Sequence, residues 1–207
     1  MGSRQGGLKN TDSLDSAAQA VGLKVYLVGP IPKGDQARIG RPLGKDDESG
    51  QADAWVDWKA GYKEALSGIQ GIEFLDADKW KDESNPLIVF GHDSAMVKSC
   101  DIVVVNAGSK LGAGSAQEML IAKYFSKPVV TILPKGTHHR KANVVFGGKL
   151  VPDWIHPFIF STSDSVVGSL GEAYKWISEY QNDPKSKPIK GISVIDSAIE
   201  AYTKAAE

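Results

Sequence analysis

Short apolar runs alternate with longer amphipathic stretches along this chain. The runs are rich in β-branched residues and predict buried strands at 24–28, 72–75, 102–105, 128–133 and 158–160. The stretches between and after them space their apolar residues three and four positions apart, which predicts helices at 54–66, 86–98, 114–125, 166–180 and 193–206. Strands that alternate with helices indicate an α/β fold, with a parallel sheet of about five strands and helices on both faces.

Composition divides the chain into three segments. Residues 1–22 are mostly polar and are expected to form an arm that is disordered or a cloning remnant. Residues 23–182 carry the alternating pattern and are expected to form one domain, and residues 183–207 predict a linker followed by a C-terminal helix. Inside the domain, residues 31–52 combine glycines and charges without periodicity. A stretch of this kind is usually functional or mobile, and we expect it to form a lid or to reshape the substrate pocket.

The near-neutral charge narrows the classes of partner. The 207 residues include 24 Lys and Arg against 25 Asp and Glu, so no nucleic-acid or anionic-membrane partner is expected, because both call for a basic excess. The apolar runs are far shorter than the ~20 residues of a transmembrane helix. The first residues lack the apolar segment of a secretory signal, and the one cysteine, Cys100, fits a reducing compartment. We therefore expect a cytoplasmic protein.

Candidate ligand contacts lie where the predicted strands end, because parallel sheets bind ligands at the carboxyl ends of their strands. The residues that end two strands and open the helix at 114–125 are Gly29, Pro30, Asn106, Gly112, Gly114 and Ser115. Their glycines do not form a dinucleotide fingerprint, because Gln117 stands where the third glycine is needed. They do not form a phosphate loop either, because no lysine follows Gly114. We expect these residues to contact a substrate in another way.

Glu118 lies in the first turn of that predicted helix and has two interpretations. A carboxylate there is stabilised in its ionised form by the helix dipole, and at the mouth of a sheet it can act as a nucleophile or stabilise an oxocarbenium-like centre. The alternative is a capping box, in which Ser115 is the N-cap and Glu118 binds back to the Ser115 backbone. Spacing alone favours the capping box. Asp93 is similarly ambiguous, because it can be the N-cap of a helix that runs toward Lys98.

Three sequence blocks together resemble one enzyme family. The first block is 24–30, the second is His92-Asp93 with 100–106, and the third begins at 114 with Gly-Ser-Ala-Gln-Glu and continues to Lys-Pro-Val-Val at 127–130. In order and spacing these blocks resemble the nucleoside 2-deoxyribosyltransferase family, including the related nucleotide N-glycoside hydrolases. The resemblance covers residues 24–133.

The resemblance implies a flavodoxin-like, Rossmann-like sheet and cleavage of an N-glycosidic bond without a metal or a cofactor. It implies that Glu118 attacks the anomeric carbon of the sugar, that Tyr26 orients this carboxylate, and that Asp93 handles the proton of the nucleobase. It also implies a homo-oligomer with the site near a subunit interface. The expected partner is a small nucleoside or nucleotide.

The resemblance favours 2-deoxyribosyl transfer between bases and leaves two alternatives. The first is hydrolysis of a nucleoside 5′-monophosphate, because transferases of the family often carry Asp and hydrolases often carry Ser at the position that Gly112 occupies here. The second is a nucleotide-binding sensor without catalysis, in which Glu118 holds a ribose hydroxyl.

The remaining aromatic and basic residues are less specific. Trp58, like Trp55, can stack a base, although the helical spacing of the two is more typical of a core. The basic loop after the fourth strand can bind a phosphate but is more typical of a solvated loop; it holds Lys135, His138, His139, Arg140 and Lys141. No group of residues has the number and spacing of zinc ligands, so no metal is expected.

Overall fold

A computed structural model describes residues 22–30, 57–76 and 84–206. The arm before residue 22, the segment 31–52 with its expected lid, and Trp55 lie outside the described residues. Within the described part, no helix is both long and apolar enough to cross a membrane.

Five parallel strands form the main sheet, in the order β2-β1-β3-β4-β7. They are β1 (Leu23–Val28), β2 (Ile72–Phe74), β3 (Ile102–Asn106), β4 (Val129–Ile132) and β7 (Ser165–Val167). The central strand β3 consists almost entirely of β-branched residues, and its apolar side chains are buried on both faces. Such continuous apolar strands are typical of parallel sheets covered on both sides. The predicted α/β class with its five-stranded parallel sheet is confirmed.

Helices cover both faces of the sheet. They are α1 (Trp58–Leu66), α2 (Pro86–Ser99), α3 (Ala113–Tyr124), α4 (Pro157–Thr162), α5 (Leu170–Asn182) and α6 (Val194–Ala206). Side chains of α1 and α5 pack on one face of the sheet, and those of α2, α3 and α4 pack on the other. The starts of α2 and α5 follow from local sequence, because the side-chain oxygens of the N-cap residues Asn85 and Ser169 accept hydrogen bonds from the first-turn N–H groups. No residue of α6 is buried.

Three predicted elements are wrong. The apolar run at 158–160, expected to be the fifth strand, lies in α4, where Pro157 occupies the first helical turn and favours a helix start. Part of the helix predicted at 166–180 is instead β7, whose residues pair in parallel with β4. The expected loop after the fourth strand contains an antiparallel hairpin, β5 (Arg140–Phe146) and β6 (Lys149–Ile155). Gly147 and Gly148 make its tight turn, because both have positive φ angles, which glycine adopts without strain.

Candidate active site

The candidate site begins with a hydrogen bond between β1 and α3. Tyr26 on β1 donates its phenol hydrogen to Glu118 on α3, with 2.6 Å between Tyr26 Oη and Glu118 Oε1. The two residues are 92 positions apart in the sequence, so the folded sheet and helix bring them together. Tyr26 itself is buried, with 3% of its surface exposed. An oriented carboxylate therefore stands against the face of the sheet that α2 and α3 cover.

The surroundings of Tyr26 keep its phenol protonated. Burial is the largest cause that raises its pKa, followed by the negative charge of Glu118 and the hydrogen bond to it; the charge of Asp93 adds to the effect. A phenol that cannot ionise at neutral pH remains a donor. The contact therefore presents Glu118 as an acceptor that is fixed in place, while its negative charge is not neutralised by this bond.

The capping-box interpretation of Ser115 and Glu118 is wrong. Helix α3 begins at Ala113 with Gly112 as its N-cap, and among the described residues no side chain caps this end. Ser115 therefore lies inside the first turn, and its hydroxyl donates to the carbonyl of Gly29 at 2.9 Å. The prediction that Glu118 lies in the first turn is also wrong, because the helix begins earlier than expected and Glu118 falls in its second turn. Ser115 and Glu118 share the side of α3 that carries the buried Met119. The helix thus contacts the end of β1 through the hydroxyl and Tyr26 through the carboxylate.

Gly29, Pro30 and Trp58 form a packed corner after β1. The indole of Trp58 donates to the carbonyl of Pro30 at 3.0 Å, and its ring contacts Tyr62 edge-on. A Cβ atom at Gly29 would lie 2.7 Å from the Trp58 ring, so this position requires glycine. Trp58 is partly buried against the core, as its helical spacing predicts. Its expected contact with a substrate stays a prediction.

The end of β3 and the start of α3 form the next part of the site. The amide oxygen of Asn106 accepts from the backbone of Gly108 at 3.1 Å, which turns the chain directly after the strand. Gly112 and Gly114 are exposed, and a Cβ atom at either would meet no described residue within 4 Å. The first turn of α3 therefore offers backbone N–H groups and the positive end of a helix dipole to a position that no described side chain fills.

Asp93 lies in the interior of α2, so its interpretation as an N-cap is wrong; Asn85 has that role. Asp93 Oδ1 is 3.0 Å from His92 Nδ1, and both side chains are partly buried. Asp93 lies one helical turn before the buried Val97, on the same side of the helix. Because the charge of Asp93 acts on Tyr26, the fold gathers Asp93, Tyr26 and Glu118 in one region.

One residue of this region was assigned to a solvated loop by its sequence. His139, between β4 and β5, is buried, and its Nε2 accepts from the backbone N–H of Leu111 at 3.0 Å. The signal in the sequence was its place after the fourth strand, at the ligand-binding edge.

Arg140, from the same predicted basic loop, pairs with Asp153 across the hairpin. In the ranges that the structure describes, no three His, Cys, Asp or Glu side chains are grouped as metal ligands.

Comparisons with known proteins give a distant structural likeness. No protein-family model matches the chain, and no curated protein matches it. Among the solved structures that match is one titled as the CMP N-glycosidase BcmB of Clostridium botulinum, with a TM-score of 0.41 and 13% sequence identity. The match covers 76% of this chain and 98% of that chain. At this score and identity the likeness supports no statement about the activity of this chain.

Proposed function

We propose that this protein is an enzyme that cleaves the N-glycosidic bond of a nucleoside or nucleotide, with Glu118 as the nucleophile. The observation that carries the proposal is the 2.6 Å hydrogen bond from the buried Tyr26 to Glu118. It orients a carboxylate beside the ligand-binding edge of a parallel sheet, and a second carboxylate, Asp93, lies near enough to act on Tyr26. Two carboxylates in different roles are what a glycosyl transfer in two steps requires.

In the first step, a Glu118 oxygen attacks the anomeric carbon of the sugar. A carbon–oxygen ester bond forms, the carbon–nitrogen bond breaks, and its electron pair leaves with the base. A proton delivered to the departing base by way of Asp93 makes the base a better leaving group. His92 Nδ1, 3.0 Å from Asp93 Oδ1, is placed to exchange that proton.

In the second step, a new acceptor attacks the same carbon and the ester bond breaks, which restores the Glu118 carboxylate. With a second base as the acceptor, the reaction is 2-deoxyribosyl transfer, which we take as the principal activity. Asp93 then takes up the proton that the acceptor loses. Tyr26 acts as a positioning residue throughout, because its hydroxyl holds the carboxylate in one orientation and never needs to ionise.

A second candidate function is the hydrolysis of a nucleoside 5′-monophosphate. It is favoured by the start of α3, where Gly112 is the N-cap and no side chain of the described ranges caps the helix. N–H groups at the start of a helix bind phosphate well, and no described residue lies within 4 Å of a Cβ placed at Gly112 or Gly114. We assign the remaining substrate contacts to Asn106, Gly29, Pro30, Ser115 and Trp58, which shape the wall between β1 and β3.

We also propose that the enzyme is a homo-oligomer with its site near the interface. Large apolar side chains are exposed on the helices of the α2–α3 side and along α6: Leu87, Phe90, Leu120, Tyr124, Phe158, Ile195, Ile199 and Tyr202. Apolar surface of this extent usually marks a contact with another protein. Light scattering at micromolar concentration tests the proposal, and a mass of one chain contradicts it.

The activity is tested by incubating the protein with 2′-deoxynucleosides and their 5′-monophosphates, each with and without a second free base. Transfer predicts a new nucleoside only when the second base is present. Hydrolysis predicts free sugar or sugar phosphate in both cases. Tight binding in a calorimeter with no product over hours would indicate the sensor instead.

The nucleophile is tested with Glu118→Gln, which keeps the size of the side chain. Turnover should fall by on the order of 10³-fold or more, whereas Gln117→Ala, on the exposed side of the same turn, should leave it unchanged. A 2-fluorinated sugar analogue should add the mass of its glycosyl group to the wild-type protein and not to Glu118→Gln. If Glu118→Gln keeps full turnover, the assignment is wrong.

A further inference from the structure

We propose that His139 is a positioning residue: its neutral side chain holds Leu111 and the start of α3 in place, and its protonation in acid releases them. The effect on substrate rests on the function proposed above. The effect on the protein itself does not, since it concerns a contact between two parts of this chain.

The contact joins distant parts of the chain. His139 follows β4, and Leu111 is 28 positions earlier, directly before the N-cap Gly112. The Leu111 N–H donates to His139 Nε2 at 3.0 Å. A ring nitrogen that accepts a hydrogen bond carries no proton, so the proton of the neutral ring is on Nδ1. The tautomer of His139 is therefore fixed by the backbone that it holds.

The ring of His139 is held firmly by its neighbours. Only 8% of the residue is exposed. It packs edge-on against His138 and His156, with ring centroids 4.6 and 5.5 Å away. The backbone N–H of His156 donates to the His139 carbonyl at 2.9 Å, which fixes the residue at the base of the hairpin. Among the described residues, His139 Nδ1 is buried without a hydrogen-bond partner, and Nε2 makes the hydrogen bond of the ring to Leu111.

The surroundings of the ring oppose a positive charge. Burial is the largest cause that lowers the pKa of His139, and the charges of His138, His156 and Lys110 lower it further. His138 lies in the same turn as His139, His156 lies directly after β6, and Lys110 lies in the segment before α3. These surroundings therefore favour the neutral ring, which is the form that accepts from the Leu111 N–H.

Protonation reverses the contact. A charged imidazole has N–H groups at both ring nitrogens, so Nε2 would present a hydrogen to the Leu111 N–H and the bond would be lost. Because Leu111 precedes Gly112, this loosens the helix start at which the proposed substrate binds. The affinity for substrate should thus be constant through neutral pH and fall as the pH drops through the lowered pKa of His139.

Two variants of His139 test its role as a hydrogen-bond acceptor separately from its ability to become charged. His139→Ala removes the acceptor and should raise KM about five- to tenfold at pH 7.5, the size expected for one neutral hydrogen bond, with little change in kcat. His139→Gln offers an amide oxygen that accepts but does not titrate, so it should restore KM and abolish the rise of KM in acid. The control is Lys149→Ala, an exposed residue at the far end of the hairpin, which should keep the wild-type KM at pH 7.5.

The contact is also measured without any substrate. Nitrogen NMR of the wild-type protein should show His139 as the Nδ1–H tautomer at pH 7, and the Leu111 amide should shift as His139 titrates. In His139→Ala that amide should lose protection from hydrogen exchange. An Nε2–H tautomer, or a Leu111 amide unaffected by His139→Ala, overturns the proposal. If the NMR results hold and no substrate is turned over, the proposed function fails while the contact stands.

Discussion

Helix α3 makes two polar contacts with other elements, one from its middle and one near its end, and they differ in the charge of the partner. In the middle of the helix, the Glu118 carboxylate accepts from the neutral phenol of Tyr26. Near its end, Lys123 pairs with Asp164, and both side chains are fully buried. The second contact joins opposite charges, whereas the first places a carboxylate in a region that also holds the charge of Asp93.

The Lys123–Asp164 contact has the features of a structural tie. Lys123 also donates to the carbonyl of Lys127, and Asp164 accepts from the backbone of Val129 and of Lys190. Burial lowers the pKa of Lys123, and the bond to Asp164 opposes that shift. The pair thereby joins the end of α3, the start of β4 and the segment before α6.

The comparison shows that charged residues of one helix can have different roles, one in stability and the other in chemistry. A buried pair whose hydrogen bonds are satisfied holds elements together, and removing one partner leaves an isolated buried charge. A carboxylate that lies near another carboxylate contributes less to stability, and such arrangements are common in active sites. Three variants test this difference, in addition to those at Glu118 and His139.

Asp164→Ala should have the largest effect on stability. It leaves the Lys123 ammonium buried without its counter-charge, so the free energy of unfolding should fall by about 3–5 kcal/mol. Urea denaturation measures the loss. Glu200→Ala, which breaks the exposed pair with Lys204 on α6, is the control and should change stability by less than ~0.5 kcal/mol. If the free energy of unfolding falls equally in the two variants, the structural role assigned to Asp164 is contradicted.

Tyr26→Phe should affect catalysis more than stability. It removes the donor that orients Glu118, so kcat should fall about 10- to 100-fold, while KM and the urea midpoint change little. Steady-state kinetics separate the two parameters. A Tyr26→Phe variant that unfolds early and keeps its kcat would place this contact in the same class as Lys123–Asp164.

Ser115→Ala should have the smallest effect. It leaves the Gly29 carbonyl without the hydroxyl that donates to it, which should lower the free energy of unfolding by about 1 kcal/mol. Ser197→Ala removes a bond of the same type on the exposed helix α6 and should cost less, because water replaces the lost partner. A larger loss at Ser197 than at Ser115 would contradict this account of the helix start.

Elements with a strong local pattern could be predicted from the sequence. The β-branched run at 102–105 predicts β3, and the spacing at 86–98 predicts α2 to within a residue of its observed end. The hairpin also has a local signal, because Gly147 and Gly148 separate two β-branched segments. The glycines alone suit a loop equally well, and only the apolar residues on both sides of the turn distinguish the hairpin from it.

Other parts of the fold depended on partners far along the chain. The run Phe158-Ile159-Phe160 suits a strand by composition, but Pro157 starts a helix there and Ile159 is buried against the core. Strand β7 has only three residues, too few for a periodic pattern, and it forms because β4 offers it hydrogen bonds.

The sequence by itself determined the order of the first four strands of the sheet and of the helices between them, because alternation and helical spacing are local properties of neighbouring residues. It also indicated Glu118 as a candidate carboxylate, although it placed this residue one turn too close to the helix start. Only the tertiary structure decided that Glu118 meets Tyr26 rather than its own backbone, and that His139 holds Leu111. Those contacts span 92 and 28 positions, and burial, which fixes their partners and their charge states, exists only once the sheet and its helices have packed.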